Sequence, residues 1–250
     1  MFKKSIKFLF LGLIIITMFL ACGNPEDKKM ELFNRTKALY EKGQYAEARV
    51  ESKKALKLDP QFSRAYYMLG MISVKQNDLE KAYDELSKAV ELEPELLDAQ
   101  IELGTVFLMV KNGEQARKKA EFVLSINSEH EGAMILLVSC LIWEQKEKEA
   151  EVILRSVIKK NPKKPGPYLK LAKMKVKQQD QDGAIQILQD LLEQEEVNKT
   201  ARLFLAEILE KKRDLLGAEA HYKKLIHQHP EDFSLKLILV SFYDRTNSDN

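Results

Sequence analysis

The sequence predicts an all-α fold built from repeated pairs of antiparallel helices. Three observations indicate this fold: few helix-breaking residues, alanine at a constant spacing, and apolar residues at helical spacing on both sides of a polar turn. Only 10 Gly and 7 Pro occur among the 250 residues. Because Gly and Pro interrupt helices, their scarcity favours a helical chain over a disordered one.

A constant period, equal to the step from Ala48 to Ala82, runs through most of the chain. One column of positions at this period is alanine in all six repeats, and a second is leucine except in the first repeat, where Arg35 replaces it. Self-similarity at a fixed period of this length is typical of a repeat architecture. The alanine column is Ala48, Ala82, Ala116, Ala150, Ala184 and Ala218, and the leucine column is Leu69, Leu103, Leu137, Leu171, Leu205 and Leu239.

These columns have physical reasons. Alanine is expected where two helix backbones meet, because a larger side chain would push them apart. The residue after the leucine is mostly small, as at Gly70 and Ala172, which lets the first helix of each pair approach the second. Proline disfavours helix in the residue before it and ends four of the intervals, for example at Pro94.

The motif Tyr66-x-x-Leu69-Gly70, followed by Ala82, Ala89 and Pro94, resembles the tetratricopeptide-repeat (TPR) pattern. The resemblance implies a superhelical solenoid of antiparallel helix pairs. Residues 233–250 are expected to form the first helix of a seventh, incomplete repeat, and its apolar character predicts that the chain continues past Asn250. The alternatives are that this helix is a natural cap or that it is covered by a second copy of the chain. The six complete repeats are predicted at residues 29–62, 63–96, 97–130, 131–164, 165–198 and 199–232.

The amino terminus is typical of a secretory signal peptide over residues 1–21. Lys3, Lys4 and Lys7 precede an uncharged apolar run that is short for a membrane span of about 20 residues, although an uncleaved anchor helix is the alternative. Phe19-Leu20-Ala21-Cys22 resembles the lipobox of bacterial lipoproteins. The resemblance implies cleavage before Cys22, acylation of this cysteine with chains such as palmitate, and a lipidated tether over residues 22–28. Gly23 after the cysteine favours the outer membrane.

The TPR resemblance implies that the first helix of each repeat lines a concave groove that binds a protein or peptide. The middle of this groove is predicted to be an apolar strip, with Trp143 and Met109 as the main anchors, since Trp is favoured at interface hot spots. In the alternative, several of these residues pack between neighbouring helices instead. The strip comprises Tyr67, Met71, Ile101, Leu108, Met109, Ile135, Ile142 and Trp143.

No residue pattern indicates catalysis or a cofactor. The chain lacks a Gly-rich phosphate loop, an HExxH motif and a CxxC motif. His221 and His227 are six residues apart, which does not stack them on one helix face, so no metal site is expected. The net charge of +2 falls to −1 without the three lysines of the signal, which gives no electrostatic reason to expect nucleic acid as a partner. Cys140 lies in an apolar stretch and is expected to be a buried thiol.

These features together predict a non-catalytic protein–protein interaction scaffold, anchored by lipid and facing the periplasm. Two groups of proteins look similar: the TPR lipoproteins that assist type IV pilus and secretin assembly, and those that accompany exosortase and exopolysaccharide export. The alternative is that the array is the recognition arm of a larger enzyme whose catalytic domain lies beyond residue 250.

Overall fold

This computed structural model describes residues 24–247, which consist of α-helices joined by short turns. Those residues form 13 α-helices and no strand, which confirms the predicted all-α class. The predicted signal peptide and the lipobox cysteine Cys22 lie outside the described residues. None of the helices described is both long enough and apolar enough to span a membrane.

The chain divides into two compact units, with the boundary after Ser128. Unit 1 contributes three consecutive helix pairs, in which each helix packs against the one before it. Its helices are α1 (Pro25–Glu41), α2 (Tyr45–Leu58), α3 (Ser63–Lys75), α4 (Leu79–Leu92), α5 (Leu97–Met109) and α6 (Gly113–Ile126).

Unit 2 begins at Glu129 and contributes three further pairs and a final helix. The first helices of its pairs begin at Glu131, Pro165 and Lys199, and the final helix begins at Phe233, so these starts keep the period of the alanine column. Its helices are α7 (Glu131–Trp143), α8 (Glu147–Lys160), α9 (Pro165–Lys177), α10 (Gln181–Gln194), α11 (Lys199–Lys211), α12 (Leu215–Gln228) and α13 (Phe233–Asn247).

The alanine column lies at the contacts between helices, as predicted. All six of its members have a relative exposure of 0%. The small residue after the leucine has the expected effect in unit 1, where a Cβ added to Gly70 would lie 2.4 Å from Cγ of Leu86 on the partner helix. In the leucine column, Leu137 and Leu239 are only half-buried, whereas the other four leucines are buried.

A left-handed residue forms the turn inside every pair. A residue with positive φ ends the first helix and the second helix starts two residues later, often at an Asp or Asn cap such as Asp180, whose Oδ1 accepts from Gly183 N at 2.9 Å. The side-chain cap satisfies a backbone N–H that the helix leaves without a partner. The residues with positive φ are Gly43, Asn77, Lys111, Gln145, Gln179 and Arg213.

Candidate peptide-binding surface

In unit 1, the predicted groove residues divide into packed and exposed side chains. Tyr67 on α3 is half-buried and packs against the core cluster around Leu86 and Leu103. Met71, Ile101 and Leu108 are also half-buried. Met109, at the last turn of α5, is 43% exposed. Among the predicted groove residues of unit 1, Met109 is therefore the exposed one.

In unit 2, the three predicted groove residues all lie on α7. Ile135 and Ile142 are half-buried and pack against the core that contains Leu141 and Leu171. Trp143 is 55% exposed at the last residue of the helix. The packing alternative therefore describes Ile135 and Ile142, whereas Trp143 has most of its ring available to a ligand.

A lysine of helix α9 forms a hydrogen bond with helix α7. Lys170 on α9 is half-buried, and its Nζ donates to Oγ of Ser139 at 2.8 Å. The Ser139 hydroxyl in turn donates to the carbonyl oxygen of Ile135 at 2.9 Å. Burial lowers the pKa of the Lys170 ammonium, and the positive charge of Lys173 lowers it further. The ammonium is thus held in place by a neutral hydroxyl rather than by a carboxylate.

The sequence interpretation missed Lys170, although the repeat contained the signal. Lys170 belongs to a column of the repeat that is otherwise mainly apolar, and the two charged members of this column have opposite signs. A charge in a column of apolar residues is the pattern that marks a departure from simple packing. The column is Asn34, Met68, Glu102, Leu136, Lys170, Phe204 and Ile238.

Glu102 is the acidic counterpart in unit 1. It is half-buried on α5, and burial raises the pKa of its carboxyl group. The charge of Asp98 raises this pKa further, and the charge of Lys75 partly offsets the rise. Burial and the neighbouring Glu102 also raise the pKa of the Tyr67 hydroxyl. The acidic groups near Tyr67 therefore come from α5, whereas the charged residues of α3 itself are Arg64 and Lys75.

A cavity of about 500 Å³ lies between α11, α12 and α13 at the other end of unit 2. Two of its charges are paired: Glu210 accepts from Arg245 Nε at 2.8 Å, from Arg245 Nη2 at 3.1 Å and from the Tyr222 hydroxyl at 2.9 Å. The pKa of Glu210 is lowered, mainly by the Arg245 hydrogen bonds. The paired Glu210 and Arg245 therefore differ from Lys170, whose acceptor in the described chain is a neutral hydroxyl.

His221 and Cys140 lie at least partly within the packed helices. His221 is half-buried with Nδ1 at 3.4 Å from Nη1 of the buried Arg202, and burial lowers its pKa. Cys140 is fully buried, as predicted. No group of three or more His, Cys, Asp and Glu side chains between residues 24 and 247 is arranged to hold a metal ion.

Comparisons with known proteins agree on the fold. Two tetratricopeptide-repeat family models match residues 39–103 and 169–233, which together make up about half of the chain. A search of curated protein sequences found no match.

Three solved structures show the same fold at low sequence identity. PilF of Pseudomonas aeruginosa is 16% identical, with a TM-score of 0.65 over 87% of this chain and 99% of PilF. PilW, described as a widely conserved type IV pilus biogenesis factor, is 16% identical, with a TM-score of 0.70 over 84% of this chain and 98% of PilW. YrrB, described as a TPR protein with an unusual peptide-binding site, is 20% identical, with a TM-score of 0.50 over 70% of this chain and 91% of YrrB.

Proposed function

The chain belongs to the tetratricopeptide-repeat family, and we propose that it is a lipid-anchored scaffold that holds a protein segment against its first helices during assembly of an envelope complex. TPR proteins are generally non-catalytic scaffolds that bind protein or peptide partners. What is specific to the proposal is the surface used, the membrane anchor and the kind of complex.

The exposure of Trp143 carries the binding part of the proposal. A single large aromatic side chain, 55% exposed at the end of a helix whose other groove residues are packed, has the character of an interface anchor. It is also the only Trp in the chain. Met109 has the equivalent place at the end of α5 in unit 1, one repeat earlier, and is 43% exposed.

The anchor part of the proposal is supported by the sequence motif around Cys22. Three acyl chains on this cysteine would hold the protein firmly to a bilayer, whereas one chain alone binds marginally. The first helix begins at Pro25, so the folded chain would start close to the lipid surface. The outer membrane, with the protein facing the periplasm, is the location that Gly23 favours.

The kind of complex is proposed from the solved structures that share this fold. PilF and PilW share the fold over most of this chain, and PilW is described as a pilus biogenesis factor. At 16% identity the likeness concerns the fold, so assistance in type IV pilus or secretin assembly is the hypothesis to test first. Exopolysaccharide export is the second system to examine.

One crosslinking experiment tests the surface and the anchor together. A photo-crosslinking amino acid is placed at Trp143, or at the control position Val152, which is 69% exposed on α8. In the native host, the Trp143 derivative should give a discrete crosslinked product with an envelope protein and the Val152 derivative should not. Because Cys22 would carry the lipid, Cys22→Ser should release the protein from outer membranes, whereas Cys140→Ser should leave it there.

Two outcomes would contradict the proposal. Equal crosslinking from positions 143 and 152 would show that the exposed Trp143 does not mark the binding surface. Equal membrane recovery of Cys22→Ser and the parent protein would show that the lipobox motif does not anchor the chain.

A further inference from the structure

Lys170 has an incomplete set of partners for a half-buried ammonium group. An ammonium has three N–H donors, and within the described chain its acceptor is the neutral Ser139 hydroxyl at 2.8 Å. A charge taken out of water without a counter-charge is costly. The equivalent position one repeat earlier holds Leu136, which is 4% exposed, so the repeat itself does not need a charge here.

The side chains around Lys170 form a mixed cationic and apolar face in unit 2. On α7, Ile135, Ser139 and Trp143 follow one another at steps of four residues, which places them along one side of the helix. On α9, Lys173 lies three residues after Lys170 and is exposed. The hydrogen bond from Lys170 to Ser139 joins these two rows. We call the five residues the Trp143 face.

Neighbouring lysines on α9 show what an ordinary surface cation looks like in this protein. Lys175 pairs with Glu151 at 2.9 Å, and Lys177 lies 3.4 Å from Glu147. Lys170 and Lys173 form no such pair within residues 24–247. Ser139, which accepts from Lys170, lies one helical turn before the exposed Trp143. Among the lysines of α9, the missing counter-charge is therefore confined to Lys170 and Lys173, both on the Trp143 face.

We propose that the Trp143 face binds an acidic peptide segment, in which a Glu or Asp carboxylate pairs with Lys170 and Lys173 while an adjacent apolar side chain packs on Trp143. This inference rests on the proposed function, since it specifies the chemistry of the bound segment. Hydrogen bonds between an ammonium and a carboxylate are roughly twice as strong as neutral ones, and the partial burial of Lys170 reduces competition from water. The lowered pKa of Lys170 agrees with a site where negative charge is lacking.

A random-peptide display library selected on the purified full chain provides the test. Selected peptides should be enriched in Glu or Asp next to an aliphatic or aromatic residue. Because Trp143 is the only tryptophan, its fluorescence reports directly on this face, and the synthesised peptides should shift its emission to shorter wavelength. Lys170→Met should weaken binding of an acidic peptide by about tenfold or more, which corresponds to about 1.4 kcal/mol or more.

Matched variants separate the charge pair from general effects. Replacing the acidic residue of the peptide by Gln should weaken binding to the parent protein but make little further difference to Lys170→Met, as a double-mutant cycle requires for a direct contact. Lys163→Gln removes one exposed lysine from the turn before α9 and should leave the affinity unchanged. Far-UV circular dichroism of each variant confirms that the helices are retained.

The possible failures are distinguishable. Peptides that bind without acidic enrichment, or that bind Lys170→Met as tightly as the parent, would overturn the inference while leaving a peptide-binding scaffold. A library that yields no binding peptide at all would overturn both the inference and the proposed function. A shift of Trp143 emission by anionic lipid vesicles but by none of the acidic peptides would also overturn it, because the face would then recognise a membrane.

Discussion

Units 1 and 2 are built from the same repeat, yet they carry opposite charges at one equivalent position. Glu102 on α5 and Lys170 on α9 lie two repeats apart in a column whose other members are apolar except for Asn34 in the first repeat. Both are half-buried, and burial shifts each pKa toward the neutral form: upward for Glu102 and downward for Lys170. Asp98 strengthens the first shift and Lys173 strengthens the second, so each charge has a neighbour of its own sign.

Comparing the two units distinguishes positions required for helix packing from positions where a side chain can vary and so determine the properties of the surface. The alanine column is fully buried in both units and does not vary, because any larger side chain would separate two helices. The column of Glu102 and Lys170 faces partly outward, so packing tolerates a charge there at some cost. A feature that costs stability and is absent from the neighbouring repeats is a candidate for ligand recognition.

The largest expected effect is the loss of stability when a charge is placed in the alanine column. Comparing this loss between the units tests whether both depend equally on the column. Ala82→Glu in unit 1 and Ala150→Glu in unit 2 each place a charge where the exposure is 0%. Each should lower the free energy of unfolding by about 3–5 kcal/mol, because the buried carboxylate has no partner. Urea unfolding is followed by circular dichroism for all helices and by Trp143 fluorescence for unit 2.

The two variants should also differ in a defined way. Ala150→Glu should shift the fluorescence transition of Trp143 strongly, since the substituted helix follows Trp143 directly in unit 2. Stability in repeat proteins is approximately a sum over neighbouring repeats, so Ala82→Glu should act mainly on the dichroism transition. An unchanged midpoint for either variant would contradict the assignment of that alanine to a helix contact.

The second prediction concerns the opposite charges themselves. Glu102→Gln and Lys170→Met should each stabilise the protein at neutral pH by about 0.5–2 kcal/mol, because each removes a half-buried charge without an opposite partner in hydrogen-bond contact. Lys170→Met should gain stability and lose acidic-peptide binding together. A loss of stability in either variant would show that the charge is compensated by contacts within the chain.

The pH dependence of these gains should have opposite signs. The pKa of Glu102 is raised above its usual value of 4.5, so the cost of its charge is present above the raised pKa and disappears as pH falls below 4.5. The pKa of Lys170 is lowered below 10.5, so its cost is present at low pH and disappears as pH rises above 10.5. Unfolding by urea across the pH range should therefore show the Glu102→Gln advantage shrinking toward acid and the Lys170→Met advantage shrinking toward base.

The sequence predicted the fold more completely than the surface, for a physical reason. Helix contacts recur at a constant period and leave the same alanine in every repeat, so the pattern is visible without coordinates. Burial at the positions of Ile142 and Trp143 follows the repeat, since the equivalents of Trp143 are exposed and those of Ile142 are half-buried in every complete repeat, but polarity alone does not distinguish the two in the sequence. Both residues are apolar and adjacent, yet Ile142 packs against the core and Trp143 is 55% exposed.

Lys170 illustrates what a pattern search overlooks. Its column was visible as mainly apolar residues with two charged members, but the groove prediction concerned apolar anchors only. The hydrogen bond to Ser139 requires a particular approach of α9 to α7, which the spacing alone does not determine. An invariant column therefore indicates a helix contact, and a column in which a residue changes polarity indicates a candidate binding position.

The smallest expected effect lies in the turns, where the two units also differ. The left-handed positions are Gly43, Asn77 and Lys111 in unit 1, but Gln145, Gln179 and Arg213 in unit 2. Gly adopts positive φ without steric cost and Asn tolerates it, whereas other residues bring Cβ too close to the backbone. Gln179, with φ of 64°, is therefore more strained than Asn77.

Gln179→Gly should raise the free energy of unfolding by about 0.5–1 kcal/mol, because relief of the Cβ contact outweighs the greater freedom of glycine in the unfolded chain. Gln179→Ala is the matched control: it removes the long side chain but keeps Cβ, so it should give no such gain. Asn77→Gly should give a smaller gain than Gln179→Gly for the reason that Asn already tolerates the conformation. All three are measured by urea unfolding with circular dichroism. An equal gain for Gln179→Ala and Gln179→Gly would show that side-chain contacts, rather than the left-handed backbone, limit stability at this turn.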